Sequence, residues 1–337
     1  MKPVHVGVIG VGMMGERHCR VYSNLRGAEL IGVYDTDPGR GREIADQYAV
    51  RYFESPFMLL REVDAVTIAT PTQYHYDLSV EALKAGVHIL VEKPMAHTLD
   101  QGERLAEVAR ASGLVAQVGH IERFNPVYLE LKNVADDLPL VAIIIRRQNS
   151  FDASNKDVDV IYDLMIHDID LLLHLVGQPV EDLTAYGRST YNGAIDHCVA
   201  NFCFRDGPIA TLIASRITQQ KVRAVEMTAR NAYVEADLLS KSLAIHRRVF
   251  SEYVSAKYRQ ESVIERIHIP VAEPLMLELQ HFIGCIRDNR RPDVSIEDGL
   301  AAMHYATRIA ESVRLTAQAA ELSRARPLED PHSATTR

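Results

Sequence analysis

The chain has 337 residues, of which 47% are hydrophobic and 24% are charged. This length and composition suffice for two packed domains, and the sequence shows no low-complexity tract or short-period repeat. The formal net charge of −8 argues against nucleic acid as the main partner. Four cysteines without metal-like spacing indicate reduced thiols in a cytoplasmic protein: Cys19, Cys198, Cys203 and Cys285.

The N-terminal segment MKPVHVGVIG predicts a strand that runs into a glycine-rich turn. Its apolar run is too short for a signal peptide, so we do not expect secretion. The sequence also lacks a stretch of about 18 apolar residues, so we do not expect membrane insertion.

Gly10, Gly12 and Gly15 form the pattern GxGxxG between this strand and a predicted helix. In a dinucleotide site the first glycine allows the tight turn, the second lets a pyrophosphate approach the backbone, and the third lets helix and strand pack closely. The helix N-terminus then offers NH groups to the phosphates. The pattern predicts a cofactor site that includes Met13 and Met14 of the same turn.

The second predicted strand, AELIGVYD, ends at Asp35, 20 residues beyond Gly15. A carboxylate at this place accepts hydrogen bonds from the adenosine ribose and repels a 2′-phosphate, which favours NAD over NADP. The alternative is that Asp35 only opens the turn DTDP. Arg40 and Arg42 follow it and could tolerate NADP.

Two further predicted strands end in residues that suit a ligand crevice. DAVTIAT ends at Thr70 and Pro71, with His75 one turn later, and VHILVEKP ends at Glu92 and Lys93. Because ligands of an open α/β sheet bind beyond the carboxyl ends of its strands, we expect these residues to lie where a nicotinamide would bind. In isolation, Lys93 could also be a surface lysine at a strand end.

Strand and helix patterns alternate as far as residues 114–120, which predicts about six βα units of a parallel sheet. From Leu140 the runs alternate between apolar and polar residues, which predicts several antiparallel strands. Helical patterns then return, and Ser295 is the N-cap candidate of the last one. The sequence therefore predicts an α/β protein.

Residues 163–176, DLMIHDIDLLLHLV, predict a helix with one polar stripe. Asp163, His167, Asp170 and His174 recur at spacings of four, three and four among apolar residues. Such a helix is buried almost all round, so we expect the stripe to face a cavity with a ligand. The alternative is two satisfied pairs, Asp163 with His167 and Asp170 with His174.

Four segments, GVIGVGMMG, ATPTQYH, VEKP and DLMIHDID, together resemble the Gfo/Idh/MocA family of oxidoreductases over nearly the whole chain. The resemblance implies a homodimer or homotetramer with an open sheet at the subunit interface. It implies a doubly wound Rossmann domain (1–122), an α/β domain with a largely antiparallel open sheet (123–290), and a C-terminal helix (291–322) that packs back on the Rossmann domain. We expect residues 323–337 to be a disordered tail.

The resemblance also implies that Lys93, Asp163 and His167 form the catalytic group of a sugar dehydrogenase. A secondary alcohol would give a hydride to nicotinamide and its proton to His167, whose reference pKa near 6.5 suits this exchange. Asp163 would orient the imidazole, and Lys93 would stabilise the reacting oxygen. Lys93 and His167 could also exchange roles. The family has a glycine at the position of Met165, which indicates a differently shaped pocket.

Two segments, residues 119–126 and 163–173, resemble enzymes that oxidise the 3-hydroxyl of UDP-N-acetylglucosamine on the way to the diamino sugar of some lipid A molecules. We therefore expect a sugar or nucleotide-sugar substrate. Inositol or a free aldose is one alternative, and a non-catalytic NAD-binding regulatory protein is another. The candidate substrate contacts are Arg123, Asn125, Arg146, Gln148 and Asp170.

Each of these contacts has a plainer interpretation. Arg123 and Asn125 could cap the helix that follows them, and Arg146 with its neighbour Arg147 could lie on a solvated face rather than bind a diphosphate. The cluster of Asp163, His167, Asp168 and Asp170 also resembles a metal site of a hydrolase. The nicotinamide-type turn and Lys93 make that interpretation weaker, and we predict no metal.

Overall fold

The computed structural model describes residues 2–151, 157–191, 193–254 and 257–325. Two β-sheets with associated helices account for the described chain, which confirms the predicted α/β class. Of the predicted tail, residues 326–337 lie outside the described part. Across the described ranges, no helix is both long enough and apolar enough to cross a membrane.

The first sheet is a doubly wound parallel sheet of six strands in the order β3-β2-β1-β4-β5-β6. The strand order reverses between β1 and β4, and the crevice at such a point is where α/β proteins bind ligands. Its strands are β1 (Val4–Ile9), β2 (Ala28–Tyr34), β3 (Arg51–Tyr52), β4 (Ala65–Ile68), β5 (His88–Glu92) and β6 (Ala116–Gly119).

The helices of this part begin where polar side chains cap them. Asp37, Ser55 and Thr98 each accept a hydrogen bond from a backbone N–H of the helix that they precede. These caps fix α2, α3 and α5 relative to the strands before them. The helices are α1 (Met13–Tyr22), α2 (Pro38–Gln47), α3 (Pro56–Leu60), α4 (His75–Lys84) and α5 (Leu99–Ser112).

The second sheet has eight strands in the order β14-β13-β12-β11-β7-β10-β9-β8. All neighbours are antiparallel except β10 and β7, which run parallel. The strands are β7 (Leu140–Gln148), β8 (Val180–Arg188), β9 (His197–Phe204), β10 (Ile209–Ser215), β11 (Val222–Ala229), β12 (Ala232–Asp237), β13 (Ser242–Val254) and β14 (Lys257–Ile267).

One helix joins the two sheets, a second lies between the first two strands of the second sheet in chain order, and two more follow that sheet. A π-helical turn, Ile161–Met165, leads directly into the second of these four helices. Alternation along β7 decides which side chains face these helices: Ile143, Ile145 and Arg147 are buried, whereas Ile144 lies on the opposite, exposed face. The helices are α6 (Pro126–Asp136), α7 (Ile166–Val176), α8 (Pro274–Asp288) and α9 (Ile296–Ala325).

The segment before α9 returns to the first sheet. The N–H of Val118 donates to the carbonyl of Val294, and Gln117 forms an antiparallel bridge with Ser295. A Cβ on Gly299 would lie 2.7 Å from the side chain of Val118, so α9 packs directly on β6. The same helix contacts α5, α7 and β8 and thereby joins the two sheets.

The four cysteines are free thiols, and three of them are buried. Burial raises the pKa of both Cys19 and Cys198 to about 12. These two thiols are therefore protonated near neutral pH and behave as apolar packing groups. Cys203 is exposed.

Candidate active site

The glycine-rich turn between β1 and α1 has the shape of a phosphate-binding loop. Gly10 has a φ of +84°, and a Cβ on Gly15 would lie 1.8 Å from the carbonyl oxygen of Gly10. A Cβ on Gly12 would meet nothing within 4 Å. Gly12 therefore presents open space at the N-terminus of α1, where its N–H groups can bind a pyrophosphate. This turn fits a dinucleotide cofactor.

Asp35, at the end of β2, faces the same turn. One carboxylate oxygen accepts a hydrogen bond from the N–H of Val11 at 2.7 Å, and the other accepts from the N–H of Asp37 at 2.9 Å. The carboxylate thus holds the glycine turn in place and also begins the turn that precedes α2. A carboxylate offers about four acceptor positions, so Asp35 keeps capacity for a ribose diol.

Arg40 is the arginine that packs on this turn. Its Nε donates to the carbonyl of Val11 at 3.1 Å, while its terminal nitrogens bind Glu16 and Glu43. Arg42 instead lies 5.4 Å from the centre of the Tyr52 ring. The charge of Arg40 is balanced by two carboxylates, which makes it a poor receptor for a 2′-phosphate.

His75 joins the two strand ends that border the crevice. It is buried, and its ring nitrogens lie 2.7 Å from the carbonyl oxygen of Thr70 and 2.8 Å from that of Pro94. His75 therefore supports the loops from below. The Thr70 hydroxyl is buried without a partner among the described residues. Together with the neighbouring, exposed Pro71, it is a contact that a cofactor could complete.

Glu92 ties β5 to α1. Its carboxylate lies 2.8 Å from Nε2 of the buried His18. Burial alone would raise the pKa of Glu92, but the hydrogen bond to His18 and the charge of Lys93 hold it below its usual value. Glu92 is therefore ionised and fixes the backbone from which Lys93 projects.

Lys93 reaches the turn that precedes α7. Its Nζ donates to the backbone carbonyl of Asp163 at 2.7 Å and lies 4.0 Å from the Asp163 carboxylate. Burial lowers the pKa of Lys93, and the nearby Asp163 and Glu92 oppose that shift. The ammonium group is held in place with part of its donor capacity still available to a ligand.

His167 is one helical turn beyond Asp163. Its Nδ1 is buried without a hydrogen-bond partner among the described residues. Burial, with the positive charges of Lys93 and Arg147, lowers the pKa of His167 well below 6.5. The imidazole is therefore neutral near pH 7 and able to accept a proton.

His120, which the sequence analysis did not single out, lies beside His167. The ring centres are 6.3 Å apart and the rings meet edge to face. His120 is buried, its Nδ1 has no partner in the described chain, and burial lowers its pKa. The sequence could have indicated His120 as a site residue, because it directly follows β6 at the carboxyl edge of the parallel sheet.

Farther along α7, the polar residues are paired. The carboxylate of Asp170 accepts two hydrogen bonds from Arg123, at 2.7 and 2.9 Å, and His174 lies 2.7 Å from the Tyr128 hydroxyl. The alternative pairing of Asp170 with His174 does not form. Arg123 and Asp170 satisfy each other in a buried ion pair beneath the crevice.

Asp168 forms a second buried ion pair on the same helix. It accepts from Nε of Arg147 at 2.7 Å, and Arg147 also donates to Glu122 at 2.8 Å. The described residues contain no group of three or more histidine, cysteine or acidic side chains that could hold a metal ion.

Three predicted substrate contacts make hydrogen bonds elsewhere and do not line the pocket that contains Lys93. Arg146 binds Glu226 on the face of the second sheet opposite α7. The backbone carbonyl of Gln148 accepts from Arg223 at 2.9 Å. Asn125 caps α6 by accepting from the backbone N–H of its second residue at 3.1 Å. The structure does not bring these three residues to the cleft.

A cleft of about 450 Å³ contains the groups that are brought together. Glu92, Lys93 and His167 line it on one side, and the start of α8 lines it on another. The third side is α1, which contributes Met14 and two arginines that the sequence analysis did not identify. These arginines are Arg17 and Arg20.

The chain matches two family models. Residues 4–120 match the oxidoreductase family model with an NAD-binding Rossmann fold, and residues 135–234 match the C-terminal domain model of the same family. The chain belongs to the Gfo/Idh/MocA family of oxidoreductases. Its family makes it a dehydrogenase-type enzyme with an NAD-binding Rossmann domain, as the resemblance predicted.

Similar proteins include two named dehydrogenases. The chain is 32% identical over 287 residues to a UDP-N-acetylglucosamine 3-dehydrogenase of Acidithiobacillus ferrooxidans, covering 85% of this chain and 90% of that one. It is 27% identical to a scyllo-inositol 2-dehydrogenase (NAD⁺) of Bacillus subtilis, covering 89% and 93%.

Solved structures show the same architecture. A structure of the Acidithiobacillus ferrooxidans enzyme superposes with a TM-score of 0.84 at 31% identity and covers 94% of this chain and 99% of that one. A myo-inositol 2-dehydrogenase of Lactobacillus plantarum superposes with a TM-score of 0.77 at 20% identity, covering 94% and 98%. At that identity the second likeness concerns the fold alone.

Proposed function

We propose that this enzyme oxidises the 3-hydroxyl of a UDP-N-acetylhexosamine by transferring a hydride to NAD. The observation that carries the proposal is the pairing of a fixed ammonium group, Lys93, with a neutral imidazole, His167, in one cleft beside the open glycine turn. The substrate assignment is supported by the similarity to the Acidithiobacillus ferrooxidans enzyme over most of both chains.

NAD rather than NADP is supported by the charges around the glycine turn. Asp35 presents a carboxylate where a 2′-phosphate would lie, and the Arg40 charge is balanced by Glu16 and Glu43. The cofactor residues that we propose are the glycine turn with Asp35, the strand ends and Lys93: Gly10, Gly12, Met13, Met14, Gly15, Asp35, Thr70, Pro71, His75, Glu92 and Lys93.

NAD, when bound, supplies the hydride acceptor. The remaining chemistry is proton transfer, for which His167 suits the base because its imidazole is neutral near pH 7. Lys93 would donate a hydrogen bond to the substrate oxygen as that oxygen loses its proton, which stabilises the developing negative charge.

Asp163 supports the lysine in this proposal. Its backbone carbonyl accepts from Lys93, and its carboxylate lies 4.0 Å from the same Nζ. The carboxylate favours the protonated form of Lys93 and so opposes the lowering of its pKa by burial. We therefore propose that Asp163 positions Lys93, in place of the expected role of orienting the imidazole. Lys93, Asp163 and His167 together form the proposed catalytic group.

Inositol oxidation is the second candidate, favoured by the similarity to the scyllo-inositol 2-dehydrogenase over 325 residues. Both candidates present a secondary ring hydroxyl to the same cleft. They differ in charge, because inositol is neutral and a nucleotide sugar carries a diphosphate.

A substrate comparison tests the proposal. Purified enzyme with NAD is given UDP-N-acetylglucosamine, other UDP-sugars, myo-inositol, scyllo-inositol or glucose, with a carbonyl trap, and NADH absorbance and products lighter by two hydrogens are measured. Lys93→Met serves as the inactive control. A product from UDP-N-acetylglucosamine supports the proposal, whereas a product from inositol or glucose alone contradicts the substrate.

We also propose a cytoplasmic homodimer or homotetramer that supplies an intermediate of lipid A synthesis. The surface proposed for subunit contact is the open face of the second sheet, where Ile144 is exposed. Light scattering in solution measures the number of subunits, and a monomer would contradict this part of the proposal.

A further inference from the structure

We infer that Arg17 binds the diphosphate of the nucleotide-sugar substrate. This inference rests on the proposed function and adds the residue that would distinguish a nucleotide sugar from a neutral sugar. Arg17 is exposed on α1 and lines the cleft that contains Lys93 and His167.

The charge of Arg17 is unpaired in the described chain. Its two terminal nitrogens contact the sulfur atoms of Met14 and Met13 at 3.8 and 3.6 Å, and it has no carboxylate partner within the described residues. Thioether sulfur is a weak acceptor and carries no charge. The guanidinium therefore lies beside the cleft with its bidentate donor pair available to an anion.

The other positive charges of the cleft have carboxylate partners. Arg20 is paired with Glu273, and Lys93 lies beside Asp163. Arg17 is thus the one cation without a carboxylate partner among the described residues that line this cleft. A cleft with one unbalanced guanidinium favours an anionic ligand over a neutral one.

The position of Arg17 separates it from the proposed cofactor phosphates. It is five residues beyond Gly12, which corresponds to about 7.5 Å along the axis of α1. The N–H groups that suit the cofactor pyrophosphate lie near Gly12, at the N-terminus of α1. A second phosphate-binding group in the cleft therefore suits the substrate, and a planar guanidinium suits a diphosphate in particular.

The test measures binding separately from turnover. Enzyme saturated with NADH is titrated with UDP by calorimetry, and the wild type is compared with Arg17→Gln, Arg17→Lys and Arg61→Gln. Arg61 is a matched control because it is exposed at the end of α3 and does not line the cleft. The affinity for NADH is measured without UDP for each variant.

We expect Arg17→Gln to raise the Kd of UDP by about 10- to 100-fold, the range for a lost charge-assisted contact. Arg17→Lys should fall between it and the wild type, since lysine keeps the charge without the fork. Arg61→Gln should stay within about twofold. The Kd of NADH should change by no more than about twofold in all three variants.

Three results would overturn the inference: no binding of UDP to the wild type, an unchanged UDP affinity in Arg17→Gln, or an equal loss of NADH affinity in that variant. The last result would assign Arg17 to the cofactor.

Kinetics separate this inference from the proposed function. If Arg17→Gln oxidises UDP-N-acetylglucosamine with the KM of the wild type, the function stands and the subsite fails. If UDP binding depends on Arg17 but no UDP-sugar is oxidised, the subsite stands and the function fails.

Discussion

Two kinds of polar side chain follow one another along α7, and their surroundings differ. His167, in the first turn, has a buried Nδ1 without a partner in the described chain. Asp168 and Asp170 are each held by a buried arginine at 2.7 Å. If one member of a buried ion pair is removed, the charge of the other stays buried without compensation, which is strongly destabilising. Such pairs therefore favour the packing in which both members are present. A buried imidazole without a partner is instead available to a ligand.

The same contrast occurs outside α7. Glu278 of α8 is fully buried, and neither of its carboxylate oxygens has a partner in the described residues. Burial, with the charge of Glu92, raises the pKa of Glu278 well above its usual value. Unlike His167, Glu278 does not line the cleft. Access to the cleft therefore distinguishes His167, which can take part in a reaction, from Glu278, which burial only keeps protonated.

The largest expected effect concerns the unpaired imidazole. His167→Asn should lower turnover by about 10²- to 10⁴-fold, because the general base is lost, while the affinity for NADH stays within about twofold. Turnover and NADH binding are measured on the same preparation. His174→Asn is the matched control on the same helix, and it should keep most of its turnover because His174 contacts Tyr128 rather than the cleft. Equal losses in the two variants would contradict the distinction between the unpaired and the paired polar side chains of α7.

The next largest effect concerns the buried ion pair of Arg123 and Asp170. Asp170→Asn leaves Arg123 buried without its full partner, and we expect the free energy of unfolding to fall by about 3–5 kcal/mol. Urea denaturation followed by circular dichroism measures this loss. The double variant Asp170→Asn with Arg123→Met should recover part of it, since the unpaired charge is then absent. A loss of turnover without a loss of stability would show that this pair belongs to the site.

The smallest effect concerns the pH dependence of stability at Glu278. A carboxyl group whose pKa is higher in the folded state than in the unfolded state binds protons more tightly when folded. Its contribution to stability is therefore full at pH values below 4.5 and is lost as the pH rises towards the folded pKa. Glu278→Gln should remove this loss and be more stable than the wild type at pH 8, by about 1 kcal/mol or more.

Denaturation midpoints from pH 5 to pH 8 test this expectation. The exposed Glu62 provides the control variant Glu62→Gln, which should follow the pH dependence of the wild type. If Glu278→Gln also follows the wild type, the buried carboxyl has a partner that keeps its pKa near the ordinary value.

The parts of the molecule that sequence predicts well are local ones. The strand of β1, the glycine turn and the start of α1 are contiguous, so each glycine could be given a steric role that the structure confirms at Gly10 and Gly15. Lys93 directly follows a buried strand, and its place at the carboxyl edge of the sheet follows from the parallel topology.

The parts that sequence did not predict depend on distant contacts or on local irregularity. Arg123 and Asp170 are 47 residues apart in the chain, so no local spacing indicates their pairing. In β7, LVAIIIRRQ has apolar residues in both alternating phases, which hides whether Arg146 or Arg147 faces inward. Asp163 lies in the π-helical turn before α7, an irregularity that regular helical spacing does not predict, and its carboxylate lies 4.0 Å from Nζ of Lys93.

The closure of β6 by the segment before α9 has a consequence for synthesis of the chain. Residues 1–122 emerge from the ribosome long before Val294 and Ser295, which later cover β6. Until then the nascent Rossmann sheet has an uncovered edge strand, and such edges promote pairing with other chains. A fragment that ends at residue 122 should therefore aggregate, and the chain should complete its native fold only after Ser295 has been translated.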